Sequence, residues 1–246
     1  MQHDHTRRGF LRTSISLVPV AALAVTGCTQ GAATADSVLA RAQNKSFTPY
    51  NPMFFYGHEW AFIQAAVARL IPADGTGPGA VEARVHEFID RQMEAVFGHA
   101  AIWYMQGPFI DSPPEFGYQG KLAPRDVYRA GIAATDAHCK TTFAGKVFAA
   151  LDAAQQDGVL GRLESGEIKF DTLSSKTFFT FLLQNTKEGY LSDPFHGGNK
   201  DAGAWKMIGF PGARADYADW VGRPNLRYPL PPATINGSQG QGPHHG

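Results

Sequence analysis

Apolar residues recur at helical spacing through most of this chain and never alternate with polar ones over the length of a strand, which commits the sequence to a helical core. In residues 58–72, Phe62, Ile63, Ala66, Val67, Leu70 and Ile71 share one helix face, and Pro72 ends the run by removing an amide donor. Residues 80–98 place Val81, Val85, Phe88, Ile89, Met93 and Val96 on one face, with Gly98 as the expected C-cap. Helical pattern returns at Pro124, a good first helical residue, and Val127, Tyr128, Ile132 and Thr135 carry it towards Phe143 and Phe148. Asp152 with Gln155 three residues on resembles a capping box that opens a helix through Val159 and Leu163. A last helix is expected over 175–187, aligning Phe178, Phe179, Leu182, Leu183 and Thr186, with Gly189 close behind. The fold class is therefore mainly α: a compact helical domain of about five or six helices, with no internal repeat.

Two segments break the pattern. Residues 98–121 are rich in Gly, Pro and aromatic residues without a sustained period, and a connection that long in a compact domain is usually functional or an extended binding segment. From Tyr190 onward Gly, Pro and aromatic residues recur too often for a helix or a central strand, so a wrapped, loop-rich arm is expected there. Trp103, Tyr104 and Phe109 in the first segment and Trp205 and Trp220 in the second are candidates for a large interface, where aromatic residues are enriched and charge is depleted. Pinning of loops to the core by the same rings is the competing account.

The first 35 residues form an address. Arg7-Arg8 followed by Phe10-Leu11 reproduces the twin-arginine export pattern, read by a receptor that moves folded cargo, and residues 14–27 supply an uncharged apolar stretch too short to span a bilayer. Val25-Thr26-Gly27-Cys28 resembles a lipobox in which Cys28 is acylated, and Ala33-Thr34-Ala35 is a competing small-x-small cleavage site. The expected organisation is an export signal over 1–35, a tether over 36–54, one helical domain over 55–232 and a disordered tail over 233–246. Lys and Arg number 22 against 22 Asp and Glu, and removal of residues 1–27 leaves 19 against 21, a net charge of −2. A nearly neutral chain excludes nucleic acid as a partner held by charge, and attraction to anionic lipid as its main function.

Catalytic patterns are missing. The chain has two cysteines, Cys28 and Cys139, and no CxxCH for haem, no HExxH, no nucleophile elbow and no strand-borne GxGxxG. Cys139 is expected to behave as a small buried hydrophobe. His196-Gly197-Gly198-Asn199-Lys200-Asp201 invites comparison with a phosphate cradle, but no strand precedes it and Asn and Asp flank the Lys. The favoured account is a rigid turn with positive-φ glycines, in which Asn199 and Asp201 bond their own backbone, available for docking.

The strings FIQAAVARLIPADGTGPGAVEARVHEFIDRQM, WYMQGPF, LDAAQQDGVLGRLESGEIKF and FFTFLLQNTKEGYLSDPFHGGNKDAGAWKMIGFPGARADYADWV resemble the gluconate 2-dehydrogenase subunit 3 family over about residues 55–232. The resemblance implies a non-catalytic small subunit of a periplasmic, membrane-bound sugar-acid dehydrogenase. It further implies a large subunit carrying FAD and a multihaem cytochrome c subunit carrying c-type haem, which pass electrons to quinone, with membrane attachment through a partner; a lipid anchor on Cys28 is what the lipobox adds, a departure from that pattern. No catalytic residue is carried over to this chain. A stand-alone periplasmic binding lipoprotein or cofactor-free enzyme, with a pocket between helices and the HGGNKD turn at its mouth, is the alternative.

Overall fold

A computed structural model of the chain describes residues 50–110 and 112–236. The export motif Arg7, Arg8, Phe10 and Leu11, and Cys28, lie outside the described residues. Among the described residues six α-helices form the body: α1 (Gly57–Leu70), α2 (Val85–Glu94), α3 (Pro124–Thr142), α4 (Ala153–Ser165), α5 (Ser175–Leu191) and α6 (Gly203–Ile208). Short 3-10 turns link them, and the only pairing of strand type among the described residues is an isolated bridge between Gly212 and Ala233.

Helix starts obey local chemistry. Pro124 opens α3, where its missing amide costs nothing. Asp152 accepts from the Gln155 amide at 2.9 Å and the Gln155 side chain returns to the Asp152 amide at 3.3 Å, a reciprocal cap for α4. Gly166 closes α4 in the left-handed region.

The core joins α1, α2, α3, α4 and α5. Phe62 of α1 meets Phe148 at 4.6 Å and Phe178 of α5 at 6.0 Å between ring centres, and all three are fully buried. Tyr128 is buried among them and donates its hydroxyl to Asn185 at 3.0 Å, so its one polar group is satisfied. Cys139 is likewise buried, and desolvation pushes its thiol up to about 11, which keeps it protonated and unreactive at neutral pH.

Helix ends differ from expectation in two places. α2 begins at Val85, preceded by Arg84 in the left-handed region, and ends at Glu94, ahead of Gly98, so the 80–98 periodicity spans turns as well as helix. α5 runs on to Leu191 with Gly189 inside it. A Cβ at Gly189 would lie 2.6 Å from the Phe88 ring, so this glycine serves the close approach of α5 to α2.

Asp90 of α2 decides where the domain starts. Its carboxylate is fully buried and accepts from the Tyr50 hydroxyl at 2.6 Å and from the amides of Met53, Phe54 and Phe55 at 2.7, 3.1 and 2.9 Å. Arg129 completes the clasp: its guanidinium donates to Glu59 at 2.9 Å and to the Phe54 carbonyl at 3.0 Å, and lies between the rings of Phe54 and Tyr56. Residues 50–54, expected to belong to a tether, are thus part of the domain, whose compact unit begins at Tyr50.

Candidate docking surfaces

The irregular segment after α2 is held at its base and open along its length. Trp103 is half-buried and packs edge-on against Phe97 at 5.7 Å, with Tyr118 and Phe181 of α5 beyond it. The Tyr118 hydroxyl donates to the Leu122 carbonyl at 3.0 Å, which fixes the far end. Between these anchors Ile102 is 75 % exposed and Tyr104 81 %, and Phe109, Ile110 and Phe116 are exposed too. Residues 98–118 contain no Lys or Arg. Trp103 is therefore the pin that holds this loop, and Tyr104 and Phe109 are the rings it presents.

The HGGNKD turn is anchored inward at Gly198 and Asn199. Asn199 is fully buried with φ 46°, donates its side-chain amide to the Ser192 carbonyl at 2.9 Å, and accepts from the Ala204 amide at 2.9 Å. It ties the end of α5 to the start of α6, a longer reach than the local backbone bond expected of it. Asp201 and Ala202 also take positive φ, at 56° and 52°. Such conformations cost roughly 1 kcal/mol or more in non-glycine residues and persist only when surrounding contacts over-determine them. Gly198 is buried with its α-carbon against the Gly189 carbonyl, leaving no room for a side chain. The amides of His196, Gly197, Lys200, Ala202 and Ala204 all donate to the protein's own acceptors, so they do not converge on a phosphate. His196 is exposed, while Gly198 and Asn199 are interior.

Trp205, expected among interface residues, is 6 % exposed and donates its indole N–H to the Leu191 carbonyl at 2.8 Å. The indole needs both an apolar slot and an acceptor, and the open end of α5 supplies the acceptor. Tyr190 adds a bond to the Pro78 carbonyl at 2.7 Å. Trp220 is half-buried and packs with Tyr228 in a small ring cluster of its own, outside the main core.

Chemistry-bearing groups are scattered. Among the described residues no group of three or more His, Cys, Asp or Glu could hold a metal ion. His86 is buried edge-on to Trp60, and burial, with help from Arg84, pushes its pKa down to about 4, so it is neutral. A groove of ≈ 360 Å³ runs between α4 and α5 beside Lys176, Phe179 and Lys187, and another of ≈ 460 Å³ lies along the arm between Trp205, Phe210 and Tyr228. Neither is lined by residues 196–201, so the pocket with the HGGNKD turn at its mouth does not form in these grooves.

These features define, among the described residues, an all-helical domain with apolar loops exposed on it. The family model for gluconate 2-dehydrogenase subunit 3 matches residues 57–212, more than half of the chain, and the protein belongs to that family. No curated protein and no solved structure matches it.

Proposed function

We propose that this chain is the non-catalytic small subunit of a periplasmic, membrane-bound gluconate 2-dehydrogenase-type complex. It stabilises the FAD-bearing large subunit and escorts it through twin-arginine export. The complex oxidises gluconate, or a related sugar acid or polyol, to a keto product and passes electrons through a cytochrome c subunit to quinone. Family membership supports the subunit role. The observation that carries the docking role is the loop over 98–118, where Ile102, Tyr104, Phe109, Ile110 and Phe116 are exposed although the domain has a full core to bury them in.

The physical logic of escort is that a flavoprotein must bind its cofactor before export, so it must cross folded. A partner with a folded-cargo signal at Arg7-Arg8 can carry it. Replacing Arg7 and Arg8 by Lys and following flavin fluorescence in the periplasm tests this: the large subunit should stay behind with the small one. Normal export of the large subunit would end the escort role. Removing Tyr104 and Phe109 together should release the large subunit on purification, and undiminished co-purification would move the contact elsewhere.

A further inference from the structure

The family match ends at Gly212, and at that residue the chain leaves the helical body in a closed excursion. Its base is tied: the Ala213 amide donates to the Ala233 carbonyl at 2.8 Å, the Ala233 amide to the Pro211 carbonyl at 3.1 Å, and Arg214 to the Pro231 carbonyl at 2.7 Å. The Ile235 amide then returns to Asp193 at 2.9 Å. Inside the excursion Tyr217 and Trp220 pack edge-on against Tyr228, at 5.4 and 5.3 Å, so the loop carries its own small core. Its apolar residues nonetheless point out at the tip, where Val221 is 76 % and Leu226 63 % exposed.

Overall neutrality conceals a local bias. From Trp220 to Asn236 there are seventeen residues with two arginines, Arg223 and Arg227, and no acid. Arg223 lies over the Trp220 ring at 4.9 Å, and neither arginine is paired with a carboxylate among the described residues. The nearest acids in sequence, Asp216 and Asp219, lie on the 3-10 turn Ala215–Trp220 before the tip, and Asp216 is taken up by the Tyr228 hydroxyl at 2.6 Å.

Part of the tip's backbone is cheap to take out of water. Prolines at 224, 229, 231 and 232 have no amide donor, and the amides of Val221, Arg223 and Leu226 donate to Ala218, Trp220 and Arg223 carbonyls within the loop. An exposed apolar tip, flanking arginines and a ring belt behind it suit a segment that lies in the headgroup layer of a bilayer, where the remaining amides still reach water and headgroups.

We propose that the excursion 213–232 is a membrane-contacting loop, in which Val221 and Leu226 enter the headgroup layer of an anionic bilayer and Arg223 and Arg227 engage its phosphates. The loop is tied shut at its base, so the tip is presented without an ordering cost on contact. Each arginine contributes by attraction to anionic lipid, a contribution that salt screens. This assignment is independent of the escort role, because it concerns a part of the chain outside the family match.

The test uses residues 36–246, which lack the apolar leader and Cys28 and keep the whole core within 50–236. This chain should sediment with vesicles of phosphatidylglycerol and phosphatidylethanolamine, not with phosphatidylcholine alone, and release as salt rises. Val221→Asp with Leu226→Asp should weaken binding about tenfold or more while leaving the circular dichroism and melting temperature unchanged, and each of Arg223→Gln and Arg227→Gln should weaken it about fivefold. Should the double aspartate variant unfold, Val221→Cys labelled with a polarity-sensitive dye provides the second reading, since Cys139 is buried: its emission should shift to the blue on anionic vesicles. Failure of the wild-type chain to bind anionic vesicles, undiminished binding by a folded double aspartate variant, or no shift of the dye would each overturn the proposal. Loss of another subunit on purification of that variant, without any vesicle binding by the wild type, would assign the tip to protein docking instead.

Discussion

The loop after α2 and the arm after α5 have the same vocabulary of Gly, Pro and aromatic residues, yet they are held in opposite ways. The loop is pinned by rings: Trp103 against Phe97 and Phe181, and Tyr118 behind it. The first part of the arm is pinned by hydrogen bonds from buried polar groups, Asn199 to Ser192 and Ala204 and Trp205 to Leu191. Ring contacts are non-directional, so the residues between the pins stay outside and present their apolar surface. Hydrogen bonds are directional, so the arm is drawn into a fixed, strained turn. Composition alone therefore does not say whether an aromatic loop displays its rings or buries them.

The largest effect expected from this contrast is at Asn199. Asn199→Leu leaves the Ser192 carbonyl and the Ala204 amide without partners and puts a branched side chain in the left-handed region, so stability should fall by about 4 kcal/mol in urea titration. A loss under about 1 kcal/mol would mean that the arm is held by its rings as the loop is.

The helical framework under both segments should respond to pH through His86 of α2. Because His86 titrates near 4 folded and near 6.5 unfolded, the unfolded chain binds more protons between those values. The contribution of His86 is complete above about pH 6.5 and should fall by on the order of 3 kcal/mol as pH drops towards 4, partly offset by Glu87 and Asp136, whose carboxyls burial holds above the usual range. His86→Phe, which keeps a ring against Trp60, should flatten that decline; an unchanged profile would place the titration elsewhere.

Trp103→Ala should cost about 2 kcal/mol, less than for a fully buried ring because Trp103 is half-exposed, and should loosen the loop to proteolysis while the arm stays protected. Ala202→Gly should raise stability by about 1 kcal/mol, since glycine takes φ 52° without the Cβ penalty. Tyr104→Ser with Phe109→Ser should change stability by less than about 0.5 kcal/mol, as for surface sites, and weaken subunit assembly by about 2 kcal/mol or more if they are hot spots. Equal effects on melting and assembly would show that those rings are packed, which would remove the contrast between the two segments.

Local rules carried the fold a long way. The Asp152–Gln155 cap, Pro124 at the start of α3 and the Phe62, Ile63, Ala66, Val67 face of α1 all depend on residues within a few positions of one another. α6 escaped because six residues, Gly203–Ile208, are too short to show a period, and Gly189 resembled a helix stop because glycine serves both stops and close contacts. At the candidate site, Tyr104 and Phe109 are exposed, whereas Trp205 and Asn199 turned inward, for reasons that lie in distant acceptors. The acid-free run over 220–236 was legible in the sequence throughout, but its meaning depends on the tie between Gly212 and Ala233 that makes it a loop.

By itself the sequence determined a helical core, because apolar periodicity is a local pattern. Tertiary structure decided that Tyr50 belongs to the domain, that Trp205 anchors and Tyr104 displays, and that Gly198 and Asn199 of the HGGNKD turn are buried. Each of those outcomes was set by a group far along the chain: Asp90 for Tyr50, Leu191 for Trp205, and Ser192 and Ala204 for Asn199. Buried polar groups must find partners wherever the fold brings them, and no window of sequence contains that information.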